Sequence, residues 1–156
     1  MTIYAFVASH RIIDLTTVAL LSNGASSVPE TLTSDTAGQL GVEGSVVLAT
    51  CNRLEVYIKL AVPEHLAPVS ELIFAHIAAQ AGLAQEIVSS SFEVYSDLES
   101  AEHLFTVASG LESAVVGERE IAGQVRRALA TAQQAGPVPG ELVQLFEHAA
   151  HTARQV

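Results

Sequence analysis

The sequence predicts an α+β fold: a ferredoxin-like βαββαβ antiparallel sheet with helices on one face, followed by a small helical subdomain. Two observations support this class. Before residue 96, short β-branched runs alternate with segments of helical periodicity. After residue 96, every periodic segment is helical. We therefore expect a ferredoxin-like subdomain over residues 1–96, which carries the candidate catalytic cysteine, and a helical subdomain over residues 97–156 that completes the site.

Four segments have the composition of strands. Residues 3–9 are β-branched and aromatic, and residues 45–50 begin as an apolar run with two adjacent valines. Residues 54–60 alternate strictly between apolar and polar side chains, which predicts a strand with one wet face. Residues 91–95 form the fourth candidate.

Two helices accompany these strands. Asp14 is the expected N-cap of the first, and its apolar face is Leu15, Val18, Ala19 and Leu21. Residues 22–44 contain five glycines or prolines, so we expect a loop with one short helix begun at Pro29. Residues 70–81 are apolar nearly all round, which predicts a well-covered helix that ends at Gly82.

The helical part begins with a candidate capping box over residues 96–99. The apolar stripe of this helix is Leu98, Ala101, Leu104, Phe105 and Ala108. His103 points roughly 150° away from the stripe, at about 100° per residue. A histidine that only filled the core would lie on the stripe, so His103 is expected to face solvent or a cleft.

Two further helices are predicted over residues 118–135 and 141–154. On the first, Ile121, Val125, Ala128, Leu129 and Ala132 form the core face, while Glu120, Gln124 and Arg127 form a polar row. Such a row is typical of a solvated face. The core face of the second is Leu142, Leu145, Phe146, Ala149 and Ala153. The second helix has no C-cap, so we expect a piece of a longer protein.

Composition restricts the classes of function. The 156 residues are 49% hydrophobic and 15% charged, which indicates a folded domain. Seven basic residues against seventeen acidic ones give a net charge of −10, which argues against non-specific nucleic-acid binding but leaves a specific contact to a nucleic-acid end open. The sequence lacks a membrane-length apolar stretch and a signal peptide, and its single cysteine fits a reducing cytoplasm.

Cys51, the single cysteine, follows the second predicted strand. One interpretation is a small buried apolar residue. The other is a nucleophile, because a thiol attacks activated esters and a nearby cation such as Arg53 lowers its pKa. His103 is a partner of suitable type, and Ser113 could bind a polar substrate. The residues alone leave both interpretations open.

The sequence gives little support for a metal site or a dinucleotide site. His148 and His151 are spaced as i, i+3, but no further ligands complete a metal site, so no metal is expected. A dinucleotide site needs a Gly-rich turn between a strand and a helix, and the glycines near residues 110, 117 and 123 have the wrong spacing. We expect no cofactor-binding residue in this chain.

Two blocks carry a family resemblance. Residues 49–57 read Ala-Thr-Cys-Asn-Arg-Leu-Glu-Val-Tyr, and residues 103–125 read HLFTVASGLESAVVGEREIAGQV. Both resemble motifs of the glutamyl-tRNA reductase family, in the expected order, and residues 145–154 resemble the helix that follows. The resemblance covers essentially the whole chain and identifies it as similar to the N-terminal catalytic domain of that family.

The resemblance implies that Cys51 attacks the ester of glutamyl-tRNA to form a thioester, which NADPH reduces to glutamate-1-semialdehyde, a tetrapyrrole precursor. His103 matches a histidine near the nucleophile, as a base or an orienting group. Arg53 would bind the substrate carboxylate. The other implied substrate-binding residues are Thr50, Asn52, Ser113, Glu118, Arg119, Glu120 and Gln124. The family segment more often reads Glu-Pro-Gln at residues 118–120, and the matched His10 receives no role.

The resemblance also implies an NADPH-binding domain and a dimerising helical domain, neither of which this chain contains. Implied partners of the whole protein are glutamyl-tRNA, a second copy of itself and glutamate-1-semialdehyde aminomutase, with no membrane. The isolated domain would form the thioester without reducing it. Two alternatives stay open: a non-catalytic interaction module with this fold, and a thiol hydrolase of another acyl ester.

Overall fold

The sheet is antiparallel throughout. The computed structural model describes residues 2–110 and 121–153. Within them, four strands pair in the order β2-β3-β1-β4. The strands are β1 (Ile3–Ser9), β2 (Val42–Ala49), β3 (Arg53–Leu60) and β4 (Glu93–Ser96). The predicted α+β class and its antiparallel sheet are confirmed, and the predicted bounds of β1 are those observed.

The first face of the sheet is covered by helices from the first two thirds of the chain. They are α1 (Leu15–Ala25), α2 (Val28–Leu32), α3 (Asp35–Gln39), α4 (Leu66–Ala81) and α5 (Gln85–Ser90), with a 3₁₀ turn at Pro63–His65. Phe6 of β1 and Val56 and Ile58 of β3 are buried under this layer, with exposures of 0%. We call this side the apolar face.

The second face is covered by α6 (Leu98–Ala108), α7 (described over Ile121–Ala135) and α8 (Gly140–Ala153). They pack on Ala5 and Val7 of β1, Val46 and Leu48 of β2, and Tyr57 of β3. We call this side the polar face, for the side chains it buries at one end. The sequence predicts helices on one face only, and the C-terminal helices add cover on the other. The division of the chain at residue 96 stays a prediction.

This second layer makes the prediction of a wet face on β3 wrong. All residues of β3 except Lys59 are buried, including Glu55, which is 0% exposed. Strict alternation normally marks a strand with one solvated side, but here the polar positions lie under α6 and its neighbours. The covering helices lie more than forty residues further along the chain, so the local pattern does not reveal them.

Two predicted helix ends are confirmed. Asp14 caps α1, because its Oδ1 accepts a hydrogen bond from Thr17 N–H over 2.7 Å. Gly82 ends α4 with φ of 71°, a conformation that favours glycine. α4 begins at Leu66, earlier than the predicted residue 70.

The predicted loop over residues 22–44 is wrong for most of its length, but the short helix predicted to begin at Pro29 is present as α2. α1 continues to Ala25, α2 and α3 follow, and β2 already begins at Val42. Val28, Leu32 and Ala37 are buried in the apolar face, so these short helices are stabilised by packing that the Gly and Pro content does not reveal.

The capping box predicted at residues 96–99 does not form. Ser96 belongs to β4, and Asp97 stands at the N-cap position with φ of 45° and no side-chain cap bond. The Asp97 carboxylate instead accepts from Ile3 N–H over 2.9 Å. Leu98 is 71% exposed, which contradicts its predicted place on the stripe, whereas Leu104 and Ala108 are buried as predicted.

The described parts of α7 and α8 have the predicted core faces. On α7, Ile121, Val125, Leu129 and Ala132 are buried; on α8, Leu142, Phe146 and Ala149 are buried. The predicted start of α7 and the end of α8 at residue 154 lie outside the described residues.

Candidate active site

Cys51 lies at the tip of the hairpin that joins β2 to β3. Thr50 N–H donates to Arg53 O over 2.9 Å, and Asn52 N–H donates to the Thr50 hydroxyl oxygen over 3.2 Å. These bonds close a tight turn with Cys51 and Asn52 at its centre. Cys51 is exposed, so its interpretation as a buried apolar residue is wrong. Its predicted position at a strand end is confirmed.

The end of β1 is bonded to the same turn. His10 N–H donates to Asn52 O over 2.9 Å, and Nδ1 of His10 lies 3.3 Å from the same oxygen. Asn52 is 4% exposed. The turn is therefore fixed against β1 while Cys51 remains accessible. No role is predicted for His10 from the sequence, and the structure shows that it contacts the main chain of the turn.

Arg53, Glu55 and Tyr57 lie on one side of β3, because successive side chains of a strand point to opposite faces. That side is the polar face, where α6, α7 and α8 pack. β3 leaves the Cys51 turn directly, so these three side chains occupy the end of the polar face nearest to the thiol.

Glu55 contacts three neighbouring polar side chains. Its Oε1 accepts from the Tyr57 hydroxyl over 2.7 Å. Its Oε2 lies 2.8 Å from Nε2 of His103 and 3.4 Å from Nη1 of Arg53. We call Arg53, Glu55, Tyr57 and His103 the Glu55 cluster. A buried carboxylate is costly unless it is paired and hydrogen-bonded, and here the Tyr57 hydroxyl, the Arg53 guanidinium and the His103 ring surround it.

The cluster is almost fully enclosed. The exposed fractions of the Arg53 and His103 side chains are 1% and 8%. Burial, and after it the neighbouring Glu55 carboxylate, holds the pKa of Tyr57 well above its ordinary value. Tyr57 therefore keeps its proton near neutral pH and remains a donor to Glu55.

His103 reaches the cluster from α6. Its ring stacks on Tyr95 of β4, with centroids 5.0 Å apart and planes inclined by 21°. It also lines a cleft of about 330 Å³, as its position off the apolar stripe predicts. The other lining residues are Val7, Ser9, Arg11, Ile12, Glu93 and Tyr95.

Within the described residues, His103 hydrogen-bonds to Glu55 rather than to Cys51. The two bonded residues are 48 apart in sequence. The fold thus brings the predicted histidine to the strand that starts at the cysteine turn, and Glu55 is the residue that holds it there.

Gln124 lies on α7 with a buried side-chain carbonyl oxygen, Oε1, that has no hydrogen-bond partner among the described residues. A buried acceptor without a partner costs about 1–3 kcal/mol, and such a group is typical of a position that binds a ligand. Arg127 is exposed. Ser113, Glu118, Arg119 and Glu120 lie outside the described residues, so their predicted roles stay predictions.

The described residues show little that would hold a cofactor. They contain no group of three or more His, Cys, Asp or Glu side chains arranged for a metal ion. None of their strand-to-helix connections (residues 10–14, 61–65 and 97) contains a glycine, so this part of the chain does not fit a dinucleotide. No helix within it is both long and apolar enough to cross a membrane.

Glu55, Tyr57 and Tyr95 belong to the site, but the sequence alone does not predict them. The available signal is the spacing Arg-x-Glu-x-Tyr directly after the cysteine turn, which puts a cation, an acid and a phenol on one side of a strand. Three polar groups in a row on a face that is then covered by helices indicate a site rather than a solvated edge.

Known proteins resemble this chain over its full length. A curated glutamyl-tRNA reductase of Kocuria rhizophila is 51% identical and covers 100% of the chain, which in turn covers 35% of that protein. The one from Pseudarthrobacter chlorophenolicus is 49% identical with the same coverage. The chain therefore spans about a third of the length of these relatives.

The solved structure of glutamyl-tRNA reductase from Methanopyrus kandleri matches with a TM-score of 0.71 and 28% identity, covering 98% of this chain and 33% of that one. The profile of the family described as "Glutamyl-tRNAGlu reductase, N-terminal domain" matches residues 7–156. On this match, together with the cysteine turn and the buried Glu55 cluster beside it, the chain belongs to the family of glutamyl-tRNA reductase N-terminal domains.

Proposed function

We propose that this chain carries out the acyl-transfer step of glutamyl-tRNA reductase. The Cys51 thiolate attacks the ester carbonyl of glutamyl-tRNA and forms a thioester. The observation that carries the proposal is the exposed thiol at the tip of the β2–β3 turn, next to a strand that presents Arg53 and Glu55 to His103. An interaction module has no need of this combination.

In this step one bond forms and one breaks. Sγ of Cys51 bonds to the acyl carbon, and the bond from that carbon to the terminal ribose oxygen of the tRNA breaks. The thiol gives up its proton, and the leaving ribose oxygen takes one up. His103 is the base or orienting group, since imidazole exchanges protons near neutral pH. The products are the glutamyl thioester and free tRNA.

Arg53 provides the contact that selects glutamate. A guanidinium matches the two oxygens of a carboxylate with parallel N–H donors. Because its side chain is 1% exposed, the substrate carboxylate reaches Arg53 only if the groups that cover it move on binding. A site of this kind would bind the neutral glutamine side chain more weakly, because an amide offers the guanidinium one neutral oxygen in place of two charged ones.

The remaining polar residues of the pocket are Thr50, Asn52, Ser113, Glu118, Arg119, Glu120 and Gln124. Oε1 of Gln124, which has no hydrogen-bond partner within residues 2–110 and 121–153, supports its place among them, since it can accept from the α-ammonium group of an amino acid. Thr50 and Asn52 flank the thiol within the turn.

NADPH would supply the hydride that turns the thioester into glutamate-1-semialdehyde, for tetrapyrrole biosynthesis. The described residues form no glycine-rich turn between a strand and a helix that would fit this cofactor, so we place its site in the part of the whole protein outside this chain. The whole protein is proposed to be a cytoplasmic homodimer that passes its product to glutamate-1-semialdehyde aminomutase.

The test is incubation of the folded chain with glutamyl-tRNA labelled in the glutamyl group. We expect a labelled adduct on Cys51 or slow release of glutamate, and Cys51→Ser should abolish both. Glutaminyl-tRNA is the matched control substrate. Equal reaction with both tRNAs would favour a general thiol hydrolase, and no reaction with either would leave only an interaction module.

A further inference from the structure

We propose that Glu55 is the positioning residue of this site: its Oε2 holds His103 with the proton on Nε2, leaves Nδ1 as the proton acceptor, and places Arg53 beside it. The inference rests on the proposed acyl transfer for its consequence in catalysis. Its structural content, the proton position on His103, can be measured without any substrate.

The first step concerns the charge of Glu55. Its two oxygens face the Tyr57 hydroxyl, the Arg53 guanidinium and Nε2 of His103. Arginine only donates, and the Tyr57 hydroxyl keeps its proton because its pKa is raised. Tyr57 donates to Oε1 and Arg53 donates to Oε2, and the carboxylate is the form of Glu55 in which both oxygens only accept hydrogen bonds.

The second step concerns the tautomer of His103. An ionised Glu55 cannot donate, so the 2.8 Å contact between Oε2 and Nε2 requires the proton on Nε2. Neutral imidazole carries one proton, and Nδ1 then keeps the lone pair. The stack on Tyr95, with ring centroids 5.0 Å apart, restricts rotation of the ring. One tautomer in one orientation is what a proton acceptor needs.

The third step concerns Arg53. Nη1 of Arg53 and Nε2 of His103 approach the same oxygen, Oε2. Arg53, which selects the substrate carboxylate, and His103, which takes up the proton, therefore share Oε2 of Glu55 as their acceptor. When a substrate carboxylate binds Arg53, it competes with Glu55 for the guanidinium, and Glu55 is left to accept more strongly from His103.

A purely structural Glu55 is a poor explanation of this arrangement. Buried ion pairs contribute little net stability compared with apolar residues of the same volume, and on the other side of β3 the residues Leu54, Val56 and Ile58 are apolar and buried. The three polar side chains after the cysteine turn occupy only the end of β3 nearest to Cys51.

The first measurement is NMR of the ¹⁵N-labelled histidine ring in the whole chain, with His103→Asn to assign its signals. In the wild type we expect a protonated Nε2 and an unprotonated Nδ1 at a pH where the ring is neutral. Glu55→Gln should produce a mixture of tautomers, because the amide can both donate and accept. A wild-type ring with the proton on Nδ1, or a Glu55→Gln ring identical to wild type, would overturn the proposal.

The second measurement is the rate at which Cys51 is acylated by glutamyl-tRNA across pH 6–9. Glu55→Gln should lower this rate about 100-fold and change its pH profile, since a base in the wrong tautomer cannot take the proton. Glu102→Gln is the matched control: it makes the same change at an exposed residue next to His103 on α6, and its rate should equal that of wild type.

Tyr57→Phe separates positioning from stability. It removes the donor to Oε1 but leaves both contacts to Oε2, so it should weaken the fold while keeping the His103 tautomer and the shape of the pH profile. If Tyr57→Phe and Glu55→Gln lower the rate in proportion to their loss of stability, Glu55 is only structural. If wild type does not react but shows the expected tautomer, the acyl-transfer function fails and the proton position stands.

Discussion

The two faces of the sheet are both covered by helices, but they bury different groups. On the apolar face, Phe6, Val56 and Ile58 pack among apolar side chains, including those of α1 and α4. On the polar face, residues such as Ala5 and Val46 pack among apolar side chains, while Arg53 and Glu55 lie buried at the end near Cys51. The polar face therefore differs from the apolar face in that it gives up part of its apolar contact to hold charged groups in fixed positions.

The largest expected effect is on the apolar face. Phe6 is 0% exposed and meets Phe74 edge to face, with centroids 5.8 Å apart. Phe6→Ala should lower the free energy of unfolding by about 3–5 kcal/mol in urea titrations. The rate at which iodoacetamide labels Cys51 in the native state should not change. Leu98→Ala, at a residue that is 71% exposed, is the control and should stay within about 0.5 kcal/mol of wild type.

A smaller loss is expected from the polar face. Tyr57→Phe removes the donor to Oε1 of Glu55 and leaves a buried acceptor unpaired, which should cost about 1–3 kcal/mol in the same titration. An unchanged free energy of unfolding would mean that the cluster adds nothing to stability even when it is intact.

The two faces should also respond differently to alkaline pH. Burial raises the pKa of Tyr57 well above its ordinary value. It also raises the pKa of Tyr4, on the apolar face, but by less. Above about pH 10, the unfolded chain releases these protons and the folded chain keeps them, so the free energy of unfolding falls as pH rises. Tyr57→Phe should remove more of this fall between pH 9 and 11 than Tyr4→Phe does, and the reverse order would contradict the comparison.

The smallest effect is a gain in the helical layer of the apolar face. Gly38 lies in α3 with open space where a Cβ would be, so Gly38→Ala should raise the free energy of unfolding by about 0.5–1 kcal/mol. Gly24→Ala is the matched contrast, because its Cβ would lie 2.7 Å from Ile77 O and should force α1 away from α4. If Gly24→Ala and Gly38→Ala changed the free energy of unfolding equally, α1 could move away from α4 without cost.

Most of the architecture is predictable because it is local. The β-branched composition of residues 3–9 and the glycine at residue 82 each determine an element or its end through backbone preferences. The predictions that are wrong concern residues whose partners lie far away in the sequence. The polar positions of β3 are buried by helices that lie far along the chain, and the Asp97 carboxylate binds Ile3 N–H, 94 residues away, instead of capping α6.

The candidate site follows the same division. Cys51 at a strand end and His103 off its stripe are both visible in the sequence, because each depends on the periodicity of its own element. The role of Glu55 is not visible in the sequence, because the alternation of β3 is that of an exposed strand and only the tertiary structure brings Glu55 into contact with His103. The substrate-binding residues among 113–120 lie outside the described residues and stay predictions.

The strand order has a consequence for how the site is assembled. β1 is an inner strand, yet it precedes both of its neighbours, β3 and β4, in the chain. Closing the bond between Ile3 and Asp97 joins residues 94 apart, and contacts of such long range form slowly because the entropy of closing the loop opposes them. Until then α6, with His103, has no place to dock. We therefore expect the β2–β3 hairpin to form before His103 docks beside it, so that refolding chains recover the hairpin earlier than the reactivity of Cys51 towards glutamyl-tRNA.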